Sequence, residues 1–172
     1  MSIETNTLCA IAVASVACIT DIRSRRVPNV LTFGAAASAL LFHAFAPEGN
    51  GLLSAAGGWL VGAAIPFLPF VLGGLGAGDV KLLAALGAWL GPMNAVWIAL
   101  YTGVAGGVMA VVVAVSHGYL RTALQNVWFL LQHWRVAGLR SLYEVSLEGS
   151  AGPRLAYAIP IFAGLLIAVW LR

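Results

Sequence analysis

Six residues of this 172-residue chain are acidic, and two of them stand where charge is costly. Asp21 and Asp79 each lie at the end of an apolar run, next to lipid depth. An ionisable group in such a place is a functional candidate by default. Two carboxylates at a water–lipid boundary have the chemistry of aspartyl proteolysis. One is ionised and takes a proton from water; the other is protonated and polarises the scissile carbonyl. Proximity itself creates the shared-proton state, because like charges push one of the two pKa values up. Each acid also has a structural duty open to it. Asp79 follows glycine and begins an apolar run, which suits a helix N-cap. Asp21 can pair with Arg23, Arg25 or Arg26. The other acids, Glu4, Glu48, Glu144 and Glu148, fall at the chain start or in predicted loops, where water solvates them.

The neighbours of the two aspartates supply further candidates. Asp79 ends the run Gly73-Gly74-Leu75-Gly76-Ala77-Gly78. Glycine lets a loop bend and a substrate backbone come close, so Gly76 and Gly78 are candidate substrate contacts. A phosphate-cradling loop does not fit, because an apolar span stands where its strand should be. Lys81 follows two residues after Asp79 and projects to nearly the opposite side of a helix. Snorkelling to headgroups is its expected role, with a substrate contact as the alternative. Asn29, after Pro28, opens the second apolar run as a cap or as a substrate contact. His43, His117 and His133 do not cluster, and Cys9 and Cys18 form no CxxC pair. No metal ligands and no cofactor are expected from these spacings.

The elements that must position these residues are membrane helices. Hydrophobic residues make up 61% of the chain and charged residues 9%, with a mean hydropathy of +0.95. A soluble domain carries about 25% charged residues, so a soluble enzyme, a disordered chain and a nucleic-acid binder are excluded. Apolar runs predict six spans, at Ile3–Ile22, Val30–Ala46, Leu52–Leu72, Asp79–Leu90, Met93–Ser116 and Leu155–Leu171. A crossing helix needs about 20 residues, so the fourth is short, and Pro92 ends it. The first run is read as a retained helix rather than a signal peptide, because Glu4 stands where basic residues should. Alternation of six spans puts eight of the nine basic residues on one side, with Arg172 alone opposite. Positive-inside asymmetry then sets the N-terminus outside and the loops bearing both aspartates in the cytoplasm. Before the last span, Leu120, Leu124, Trp128, Leu131 and Trp134 interleave with Arg121, Gln125, Gln132 and Arg135. That pattern is an amphipathic helix, lying at the lipid interface or packed on the spans. Gly58 with Gly62, and Gly103 with Gly107, have the spacing that lets membrane helices approach. The expected fold is one all-α integral membrane domain over residues 1–172, a bundle of about six spans with an interfacial helix before the last.

The motifs also carry a resemblance. The stretch from Asp21 to Pro28-Asn29 resembles the first motif of the type IV prepilin peptidases, and Gly76-Ala77-Gly78-Asp79-Val80-Lys81 is similar to their GxGD motif. Tyr157-Ala158-Ile159-Pro160 is similar to the start of that family's last span. The resemblance implies an aspartic endopeptidase of the inner membrane, with Asp21 and Asp79 as its catalytic pair. Its substrates would be prepilins or prepilin-like proteins that lose a short basic leader at the cytoplasmic face, and its setting pilus assembly or protein secretion. The chain lacks the two CxxC pairs of the bifunctional members, so N-methylation is not expected, as in the short forms of tight-adherence (Flp) pilus systems. The competing class is a non-enzymatic transport or secretion subunit that uses Asp21 and Asp79 as proton or ion ligands. Such a subunit should hold its acids near the midplane, whereas these sit at one face.

Overall fold

A computed structural model describes residues 4–45, 51–137 and 156–171. Glu48, Arg140, Glu144, Glu148, Arg154 and Arg172 lie outside the described residues, as do the outer limits at Ile3, Ala46 and Leu155. The described residues form helices α1 (Thr5–Ser24), α2 (Asn29–Phe45), α3 (Leu52–Val71), α4 (Ala77–Leu90), α5 (Pro92–Ser116), α6 (Leu120–Ala137) and α7 (Ala158–Trp170), with no strand among them. Helices α1, α3 and α5 are long and apolar enough to cross a membrane; α2 and α7 are shorter apolar helices.

On α1 and α2 mostly small residues face inward, while many large apolar side chains of the bundle face outward. On α1 the buried positions are Asn6, Ala10, Ala14, Ala17 and Asp21, steps of three or four that keep to one face of a helix. On α2 they are Thr32, Ala35, Ala36, Ala39 and His43. Leu53, Val30, Phe45 and Trp170 are among the most exposed side chains. In water this would be a poor arrangement. Against lipid tails it costs nothing, and small interior residues let the helix backbones approach.

The core is α4. Every residue from Leu82 to Leu90 is buried, and the helix packs against α1, α2, α3, α5 and α7. Its 14 residues span only about 21 Å at 1.5 Å per residue, which suits an enclosed helix better than a lipid-facing one. Glycines set its contact with α3. A Cβ at Gly58 or Gly62 would strike the α4 backbone, and one at Gly87 would strike that of α3. Gly58 thus lies opposite Gly87, and Gly62 opposite Leu83. Pro92 breaks nothing: it takes the first position of α5 after Gly91, whose φ of 85° turns the chain.

Two expectations about packing need correction or refinement. Gly103 and Gly107 meet no neighbour within 4 Å. The close approach of α5 to α7 runs instead through Gly106, against Tyr157, and through Gly164, against Thr102. Four-residue spacing identifies a face without saying which way that face points. The helix expected from the amphipathic pattern is present as α6 and packs on α5. Leu124, Val127, Trp128 and Phe129 are exposed on it, as are Arg121, Gln125, Gln132 and Arg135.

Candidate active site

Helix α1 runs three residues beyond Asp21, so the carboxylate leaves from its last turns and continues the inward stripe of small residues. The helix closes at Arg25, in the left-handed region at φ 53°, and the Arg25 N–H returns to the Asp21 carbonyl at 2.8 Å. Pro28 then starts α2, its carbonyl accepting the N–H groups of Leu31 and Thr32 at 3.1 and 3.2 Å. Asn29 is therefore already helical, and its side chain is free for a tertiary bond.

Asp79 is the third residue of α4, and the N-cap is Gly76. The cap reading of Asp79 is corrected accordingly: glycine has no side chain to offer, so the satisfied end of the motif is the returning half. Asp79 Oδ2 accepts the Gly76 N–H at 3.1 Å. A Cβ on Gly76 would come within 3.0 Å of that same oxygen. Gly78 is filled from elsewhere, since its Cβ would sit 3.3 Å from the Val27 Cβ.

The Gly78–Val27 contact brings the α1–α2 connection onto the first turn of α4. Lys81 adds a second link. Its Nζ donates to Asn29 Oδ1 at 2.9 Å and lies 5.2 Å from the centroid of the Phe33 ring. The lysine expected to snorkel to headgroups thus binds α2 instead, because Asn29 is within its reach. Asp21 and Asp79 are 7% and 9% exposed, and they lie within electrostatic range of each other. Asp21 meets a hydrogen-bond donor from α7. Its Oδ2 accepts the Ala158 N–H at 3.1 Å. Beside it, the Tyr157 ring packs at Gly106 and lies within electrostatic range of Asp79.

The remaining polar groups lie apart. The His43 ring donates to the Trp89 carbonyl at 3.0 Å, where α2 and α4 end at the opposite face of the bundle. The His117 Nδ1 is 3.0 Å from the Val113 carbonyl, within its own helix turn. The side chain of His133 is outside the described residues. Cys9 and Cys18 are free and half-buried. Among the described residues no three His, Cys, Asp or Glu side chains gather as a metal site would need. Ala158 and Tyr157 escaped sequence reasoning as site residues. The resemblance of their segment to the start of a last span was the signal that pointed to them.

The described residues thus form an all-helical bundle with apolar outer faces and two buried carboxylates towards one end. Residues 8–111 match the model of the type IV leader peptidase family, a stretch that holds Asp21, Asp79 and more than half of the chain, and the protein belongs to that family. No curated protein and no solved structure matches the chain. Membership makes it a peptidase with a prepilin-like substrate, and the apolar helices make it a membrane protein.

Proposed function

We propose that the chain is an aspartic endopeptidase that removes the basic leader of a prepilin or prepilin-like protein at the cytoplasmic face of the inner membrane, with Asp21 and Asp79 activating water. The observation that carries this reading is the placement of the two acids. They come from distant parts of the sequence, are both buried, and lie within electrostatic reach of each other. The ionised carboxylate takes a proton from water as the water oxygen attacks the scissile carbonyl carbon, and the protonated one gives its proton to the carbonyl oxygen. Collapse of the gem-diol intermediate breaks the C–N bond: the carboxyl that took the water proton passes it to the leaving amine, and a hydroxyl of the intermediate returns its proton to the other carboxylate as the new carboxylic acid forms. Water is consumed, and the pair is restored.

In this reading α1, α2, α3, α4, α5 and α7 are the six spans, and α6 lies in the cytoplasmic interface with its exposed Leu124, Trp128 and Phe129 among lipid tails. The enzyme works beside the pilus-assembly or secretion machinery that receives its product.

Asp21→Asn and Asp79→Asn test the assignment. In the first variant the amide oxygen at position 21 can still accept the Ala158 N–H. In the second, the amide oxygen at position 79 can still accept the Gly76 N–H, so the fold is kept in both. Neither amide can act as the base. Leader removal, followed on gels with purified enzyme in lipid, should fall on the order of a thousandfold in each variant. Near-normal cleavage by either variant removes that residue from the pair.

A further inference from the structure

The family match ends at residue 111, yet α7 reaches Asp21 from well beyond it. A helix leaves its first four N–H groups without partners, and they carry the positive end of its dipole. The residue preceding α7, Tyr157, gives no side-chain cap. Asp21 supplies one from another helix: its Oδ2 accepts the Ala158 N–H at 3.1 Å, with Ala158 wholly buried.

We propose that the first turn of α7 is a positioning element of the active site, the Ala158 N–H fixing the Asp21 carboxylate by one oxygen and leaving the other for water. The proposal rests on the aspartyl reading above. Three features hold the donor in place. Gly164 presses α7 onto the backbone and hydroxyl of Thr102, Tyr157 is packed at Gly106, and Ile161 and Leu165 are fully buried. A carboxylate at the end of a helix retains rotation about its own side chain. A backbone donor from a second, firmly seated helix removes that freedom, and orientation of the base is a large part of what a hydrolytic site supplies. A cap that only stabilised α7 would need the bond as much, but would leave the chemistry of Asp21 alone.

Replacing the Tyr157–Ala158 amide by an ester, with lactic acid introduced at position 158, removes this N–H and keeps size and backbone shape. Loss of a hydrogen bond to a charged group should lower kcat on the order of 10- to 100-fold, with KM nearly unchanged. The acidic limb of the pH–rate profile should move to higher pH, because the ionised carboxylate has lost a donor. Wild-type kcat and an unmoved acidic limb would overturn the proposal, whatever happens to thermal stability.

A second measurement uses the unsubstituted chain. Tyr157-Ala158 is the one Tyr-Ala pair in the sequence, so labelling tyrosine carbonyls with ¹³C and alanine nitrogens with ¹⁵N isolates a single amide resonance. Its position should follow pH along the acidic limb, and that dependence should vanish in Asp21→Asn. A resonance indifferent to Asp21 would also overturn the proposal. If Asp21→Asn cleaves normally, the aspartyl reading itself fails. If that variant is inactive while the ester enzyme behaves as wild type, only the role of α7 fails.

Discussion

Lys81 ties two helices together at the edge of the site. Its ammonium spans from α4 to Asn29 on the first turn of α2 and rests over Phe33, one turn further along the same face. If its work is this link, Lys81→Met and Asn29→Ala should each slow leader cleavage by roughly 3- to 10-fold, the scale of one partly exposed hydrogen bond. The double variant should be no slower than either single one, since both remove the same bond. Fully additive losses in a cleavage assay would mean that Lys81 or Asn29 meets the substrate directly. The two acids were conspicuous in the sequence because a charge at the end of an apolar run has few structural excuses. The groups that answer them were not. Ala158 acts through its backbone N–H, which no residue type advertises, and Val27 fills the space beside Gly78 as an ordinary apolar side chain.

At the scale of helices, α4 is located by glycines on α3 and on itself. Gly87→Ala would drive a methyl group into the Gly58 backbone and should cost about 1–3 kcal/mol of stability as an overpacked contact. Gly103→Ala meets open space and should leave stability unchanged or slightly raised. Unfolding of the two variants in matched detergent compares them, and equal losses would contradict this packing. The apolar runs placed each helix to within a few residues, because lipid imposes one requirement along the whole length of a span. They failed at the start of α4, which begins at Ala77 rather than Asp79. Glycine carries no hydropathy to mark a helix start, and the Gly76 cap works through its backbone. They also failed to separate Gly106 and Gly164 from Gly103 and Gly107, because choosing among them requires knowing where α7 lies.

For the molecule as a whole, the basic residues at the Asp21 end predict which compartment the site faces. In a chain whose Cys9 and Cys18 have been replaced, Ser24→Cys should react with impermeant thiol reagents only from the cytoplasm, and Asn50→Cys only from the outside. Labelling in the opposite sense would refute the orientation and the route for a cytoplasmic leader. The enclosure of α4 has a consequence for how the protein is made. A helix of about 21 Å, with Asp79 and Lys81 in its opening turns, has little reason to leave the translocon for lipid alone. Its close packing on the glycines of α3 suits release as a hairpin with that helix, and α5 and α7, made later, add to its cover. Because α7 is the last described helix to be synthesised and carries the donor for Asp21, the Asp21 carboxylate gains that partner only late in translation. A nascent chain still short of α7 has both acids but lacks this donor, so on the proposed reading the site is completed only with the last helix.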